Sequence, residues 1–231
     1  MSTFESRKRS RELNEKLIKL ALISAATISI LTTFGILFSI LFEAIEFFKL
    51  RSFWYFITGA TWSPGVIGSQ FGALPIFAGT FVITIIALGV AIPVGLGSAI
   101  YMSEYASATV RDYLKPLLEI LAGIPTVVYG FFAAITVAPL VVQIAEFFGL
   151  EATFNSALAS GVVMGIMIIP VISSLSDDVI RAVPDSQRKA AFALGMTHGE
   201  TIKNIVLPSA MPGIISASLL GLSKALGETM I

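Results

Sequence analysis

Apolar residues in this chain fall in long runs without charge, not in the alternating or three-to-four-residue patterns of half-buried strands and surface helices. Residues 20–42 contain no charge, and a helix needs about 20 apolar residues to cross a hydrocarbon core. Residues 52–103 are also uncharged. Gly59, Pro64, Gly65, Gly68 and Gly72 break the first part of that run into a loop. Trp54, Tyr55 and Trp62 within it suit a membrane–water interface, so the spanning part is placed at 74–102. Further uncharged stretches at 120–145, 152–176 and 204–223 bring the expected membrane helices to five. Gly161 and Gly165 form a GxxxG pair that lets helices approach closely. Pro93, Pro125 and Pro170 mark irregular helices of the kind a bundle re-satisfies from its neighbours.

Composition agrees. Hydrophobic residues make up 55% of the 231 and charged residues 13%, where soluble chains carry about 25% charged. A soluble single-domain enzyme is thereby excluded. Fifteen basic and fifteen acidic residues give no nucleic-acid surface. The chain has no cysteine and a single histidine, His198, so thiolate or His-based metal sites and a Ser-His-Asp triad have no material.

Orientation follows from Lys and Arg. The basic tail, residues 1–19, holds Arg7, Lys8, Arg9, Arg11, Lys16 and Lys19; the loop at 43–73 holds Lys49 and Arg51. Arg111 and Lys115 lie in the next loop, and Arg181, Arg188, Lys189 and Lys203 in the one before the last span. An N-terminus inside puts twelve of these on the cytoplasmic side and two outside. The first span, 20–42, exceeds the 7–15 apolar residues of a signal peptide, so it is expected to stay uncleaved.

Residues 177–208 form a polar loop that reads as two short helices. Pro184 and Asp185 open the first and Gly195 is placed to end it as a left-handed cap. Thr197 with Glu200 three residues on is a capping box for the second, which Pro208 is expected to stop. Asp177 and Arg181, acid first and four apart, are expected to pair on the surface beside this elbow. As an arbitrary loop it is a solvated connector; as an elbow with small apolar residues on one side it is a docking knob. The spacing favours the knob. Lys189-Ala190-Ala191, three residues, Gly195, nine residues and Ile205-Val206-Leu207-Pro208 resemble the EAA loop of ABC-transporter permeases, E-A-A-x3-G-x9-I-x-L-P, with Lys189 in place of Glu. That resemblance implies insertion of the elbow into a groove on a separate ATPase. The chain itself has no G-x-x-x-x-G-K-[ST] phosphate cradle, so ATP and Mg are expected on the partner, with no cofactor here.

Four further stretches resemble phosphate permeases of the PstC type: Ala-Ile-Tyr-Met-Ser-Glu-Tyr-Ala at 99–106, the Gly-Ile-Pro stretch at 118–132, the Ser-Ser-Leu-Ser-Asp-Asp core within 165–184, and Gly-Leu-Ser-Lys-Ala-Leu-Gly-Glu-Thr-Met at 221–230. The resemblance implies an all-α, polytopic bundle of the type I ABC importer permease (MetI-like) fold, its transmembrane domain at 74–231. It also implies a sister permease, two ATPase copies, a periplasmic or lipid-anchored phosphate-binding protein, and a prokaryotic plasma membrane. Members of that family continue past Gly-Glu-Thr-Met with at least one more membrane helix, so this chain is expected to be a C-terminally shortened form.

Lys224 and Glu228 sit in the last span, where a charge costs about 2.5–3.5 kcal/mol on insertion scales. Four apart, they are expected on one helix face. They read either as a structural pair or as part of a phosphate path, Lys224 binding the anion as a point charge and Glu228 cancelling that charge when the path is empty. The resemblance favours the path, since the family carries Arg and Glu there; Lys lacks the bidentate fork. Glu119, at the opening of the third span, is a helix-end carboxylate or a pathway contact. Rival readings are a permease for sulfate or molybdate, a non-transporting scaffold or sensor, and an intramembrane hydrolase, for which no nucleophile and base pair is found.

Overall fold

The computed structural model describes residues 2–65, 68–149, 153 and 156–228, with side chains from residue 15 onward. The chain divides into two compact units, residues 1–75 and 76–231.

The first unit is built on one long helix, α1 (Ser2–Leu50), whose charge-free stretch continues the basic tail without a break. Its Ser24, Thr27, Thr32 and Thr33 hydroxyls donate back to carbonyls three or four residues earlier, which hides polar groups in an apolar helix. A short helix α2 (Phe53–Thr58) and a two-stranded hairpin, β1 (Trp62–Ser63) and β2 (Gln70–Phe71), close the unit. Phe47 packs edge-on against Phe56 and Phe71, and Phe48 against Phe53 and Phe56, a geometry favoured by ring quadrupoles.

The second unit is all helix. α3 (Leu74–Ile100) ends in a π turn, Tyr101–Tyr105. α4 (Ala108–Ala122) follows, with Ser107 as N-cap accepting from the Val110 amide. α5 (Thr126–Phe132), a π turn (Ala133–Val137) and α6 (Ala138–Phe147) form one continuous helix. α7 (Ala157–Ala182) is the central element: thirteen of its residues are buried. α8 (Asp185–Ala193) turns into α9 (His198–Thr201), a π turn (Ile202–Val206) and α10 (Leu207–Gly227). One core joins Ala87 and Ala91 of α3, Tyr129 and Ala133, Val163 to Ile172 of α7, and Ala225. A second joins Ala99, Ile180, Val183, Val206, Ala210 and Ile214. The GxxxG pair does what its spacing predicts: a Cβ at Gly161 would lie 2.7 Å from Ile86 and one at Gly165 2.9 Å from the Ala87 carbonyl.

Among the described residues five helices are long and apolar enough to cross a membrane, at Glu15–Leu50, Leu74–Tyr105, Thr126–Phe147, Ala157–Ala182 and His198–Gly227. The number matches the sequence reading; the boundaries of four do not. The first helix runs to Leu50, through the start of the expected loop at 43–73, because Glu43, Glu46 and Lys49 end the apolar run without breaking the helix. The third span starts at Thr126, because Gly123, Ile124 and Pro125 break the uncharged run after α4; a residue before proline is pushed out of the helical region. The fourth starts at Ala157, and Ala152 lies outside the described residues. The fifth begins at His198, since Pro208 does not stop the second elbow helix. Proline lacks an N–H and clashes with the carbonyl four residues back. Here it directly follows the π turn, where Leu207 N donates to Ile202 O; the widened turn relieves that clash and the helix runs on.

Candidate functional site

The elbow is the best-defined local structure. α8 starts at Asp185 after Pro184, as expected. Gly195 has φ +83°, and the Met196 amide donates to the Ala191 carbonyl at 3.2 Å, so a residue with a Cβ would strain the turn. The capping box is complete: Thr197 Oγ1 accepts from the Glu200 amide at 3.4 Å, and Glu200 Oε2 accepts from the Thr197 amide at 2.8 Å. Ala191 is buried under the elbow while Lys189 and Ala190 face outward. Leu207 packs on the second core. Between the two elbow helices runs an open groove of about 560 Å³, lined chiefly by Ala190, Ala191, Leu194, Ile205 and Pro208. Four residues of the EAA-like pattern, Ala190, Ala191, Ile205 and Pro208, thus share one groove with the strongly exposed Leu194, while Leu207 points into the core. Removing the cap with Thr197→Ala is expected to cost about 1 kcal/mol; thermal unfolding of the purified chain in detergent checks it, and an unchanged midpoint would show the cap to be idle.

Behind the elbow sit two charged clusters that local spacing did not reveal. Asp177 is fully buried and accepts from Arg111 Nη2 at 2.7 Å and Nε at 3.4 Å, with Lys115 Nζ 3.8 Å away. Lys115 also pairs with Asp178. The expected Asp177–Arg181 surface pair is therefore not formed: Arg181 is exposed. A fork to a buried carboxylate across two helices outweighs an exposed i,i+4 pair worth about 0.3–0.5 kcal/mol. The hydrogen bond to Asp177 pushes the Arg111 pKa above its usual value, against the opposing effect of burial. The second cluster joins Arg188 of α8 to Glu104 at 2.8 Å.

Contrary to expectation, Lys224 and Glu228 do not share a helix face. Lys224 is half-buried in the last turn of α10. Glu228 follows that helix as its C-cap in extended conformation, φ −77° and ψ 131°. Gly227, a poor helix former, is where the helix ends. Thr229 and Met230 of the same stretch lie outside the described residues. Glu119 does not open a span; it is exposed near the end of α4, one turn before the Gly123 break. That break is held by Tyr129, whose hydroxyl donates to the Leu121 carbonyl at 2.9 Å. Among the described residues no group of three or more metal-ligating side chains occurs.

The family model for "Binding-protein-dependent transport system inner membrane component" matches residues 91–231. The probable ABC transporter permease protein YqgH of Bacillus subtilis (strain 168) is 33% identical over 227 residues, covering 97% of this chain and 72% of that protein. Phosphate transport system permease protein PstC 1 of Mycobacterium tuberculosis (strain ATCC 25618 / H37Rv) is 33% identical over 217 residues, covering 81% of this chain and 64% of that one. PstC of Mesorhizobium japonicum (strain LMG 29417 / CECT 9101 / MAFF 303099) is 34% identical over 190 residues, covering 76% and 58%. The chain spans less than two thirds of the length of both PstC proteins.

Proposed function

The chain belongs to the family of binding-protein-dependent transport system inner membrane components, and we propose that it is a permease subunit of an ATP-driven importer of inorganic phosphate. The observation that carries this reading is the elbow: a capped helix–turn–helix in which Ala190, Ala191, Ile205 and Pro208 of the EAA-like pattern line one open groove. The names of the PstC relatives support phosphate as the substrate. In this reading the N-terminus and elbow are cytoplasmic. A sister permease completes the path, two ATPase subunits hold ATP and Mg²⁺, and an external phosphate-binding protein delivers the anion. Closure of the ATPase pair moves the elbow, and the bundle alternates between two states for which its partners have different affinities.

Lys224 is assigned to the anion path, where its ammonium meets phosphate as a point charge. Glu228, just past the helix that carries Lys224, and Glu119, near the end of α4, are assigned beside the path, and Lys189 to the ATPase surface. The test is uptake into liposomes containing the reconstituted importer, with phosphate, sulfate and molybdate offered through the binding protein. Phosphate alone is expected to accumulate. Lys224→Ala is expected to reduce uptake at least tenfold, the scale of one lost charged contact of 1.4 kcal/mol or more. Uptake of sulfate or molybdate in preference to phosphate would overturn the substrate, and undiminished uptake by Lys224→Ala would remove Lys224 from the path.

A further inference from the structure

We infer that Glu104 and Arg188 form a strut that makes the elbow move as one body with the ends of α3 and α7. The inference deepens the importer reading and rests on it for its consequence in transport. Arg188 immediately precedes Lys189-Ala190-Ala191, yet its side chain turns away from the outer surface of the elbow and is only 16% exposed. Its Nη2 donates to Glu104 Oε1 at 2.8 Å and to the Ile180 carbonyl at 2.9 Å. Its Nη1 donates to the Val183 carbonyl and lies 3.4 Å from the Asp185 carboxylate.

Each partner belongs to a different part of the unit. Ile180 and Val183 lie at the C-terminal end of α7, where carbonyls lack helical partners and a cation complements the helix dipole. Glu104, 6% exposed, lies in the π turn that ends α3, 84 residues from Arg188 in sequence. Its second oxygen faces His198 Nε2 at 3.9 Å. The His198 ring in turn lies against Tyr105 at 5.2 Å and Phe192 at 6.2 Å between centroids. One guanidinium therefore ties together α3, α7 and α8, and the carboxylate it holds reaches α9. A planar fork with five donors can serve all these acceptors at once; an ammonium cannot. On its open side the strut borders a cleft of about 280 Å³ lined by Ser103, Glu104, Arg181, Asp185 and Arg188.

If the elbow were joined to the bundle only through the covalent chain after Ala182 and through α10, a push on it would be taken up partly by bending at Val183 and Pro184. The strut removes that slack. Arg188 and Glu104 are thus positioning residues: neither is assigned a contact with phosphate or nucleotide.

Two measurements test this. In the reconstituted importer, phosphate moved per ATP hydrolysed is measured for the wild type, Glu104→Ala, Glu104→Gln and Arg188→Lys. Glu104→Ala and Arg188→Lys are expected to lower that ratio roughly tenfold, within the range of allosteric couplings, while ATP hydrolysis persists. Glu104→Gln keeps the accepting oxygen and is expected to lose less. A ratio unchanged in Glu104→Ala, or hydrolysis and uptake falling together in proportion, would overturn the strut. The second measurement needs no transport. The chain has no cysteine, so spin labels at Tyr101→Cys and Leu194→Cys report the distance from α3 to the elbow in the full chain. Arg188→Lys is expected to broaden that distribution; an unbroadened one would overturn the inference even if the importer moved a different anion or none.

Discussion

Asp177→Ala is expected to destabilise the second unit by about 3 kcal/mol, the low end of the cost of breaking a buried ion pair. The carboxylate is fully buried, and both cations it faces lie on α4: Arg111 is 19% exposed and Lys115 24%. Removing the acid leaves the Arg111 guanidinium without its carboxylate partner, while Lys115 keeps Asp178. The guanidinium's partial access to water keeps the cost from reaching the top of the range. The α4 helix, 15 residues long, is too short to count among the spans, and this pairing ties it to α7. The Arg111 guanidinium stays charged from pH 6 to 9 with or without Asp177, because its ordinary pKa lies far above that range; the hydrogen bond to Asp177 raises it further. The loss is therefore expected to be flat across that range. Unfolding of the purified chain in a denaturing detergent titration measures it. Arg111→Ala should cost far less in the Asp177→Ala background than alone, as required of two residues that act as one interaction. Equal midpoints for wild type and Asp177→Ala would show that α4 is held by its apolar contacts alone.

The elbow was legible in the sequence because its determinants are local. A cap three residues from its partner, a glycine where the backbone must turn left-handed and a proline before the first helix act within one turn of themselves. The same holds for Gly161 and Gly165, whose spacing alone marks a close face. What was not legible is non-local or depends on a break inside a uniform run. Asp177 meets Arg111 across 66 residues, and Arg188 meets Glu104 across 84. Nothing in the Asp177-to-Arg181 spacing signals that the acid turns inward to another helix. The uncharged run at 120–145 hid the Gly123–Pro125 break, because charge marks membrane depth and not helix continuity. Pro208 misled for the opposite reason: a strong local signal was absorbed by the π turn before it. The one available hint of the α4 cluster was Arg111 and Lys115 at i,i+4, two cations on one helix face that needed an acidic counterpart.

Gly213→Ala is expected to be the most damaging small substitution in α10. A Cβ at Gly213 would lie 3.0 Å from the Val179 Cβ and closer still to both its methyl groups. Val179 is β-branched and stiff at χ1, so it cannot swing aside as a long side chain would. The site belongs to a seam of small residues: Ala210, Ala217, Gly221 and Ala225 are all buried on α10, and a Cβ at Gly221 would meet Ile168 and Ile172 at about 3 Å. Within lipid there is no hydrophobic gain from bringing two apolar helices together, so their association depends on van der Waals contact along such a seam. One extra methyl that props the helices apart forfeits many of those contacts, and overpacking of this kind costs about 1–3 kcal/mol. Val179→Ala in the same chain makes room for the added carbon, so the double variant should recover most of the loss. Gly97→Ala is the control, since nothing lies within 4 Å of its Cβ position; there alanine should be neutral or stabilising by up to about 1 kcal/mol through helix propensity. Thermal unfolding of the four proteins in detergent separates the effects. If Gly213→Ala behaves like Gly97→Ala, the α7–α10 seam is not the contact that holds these two helices together.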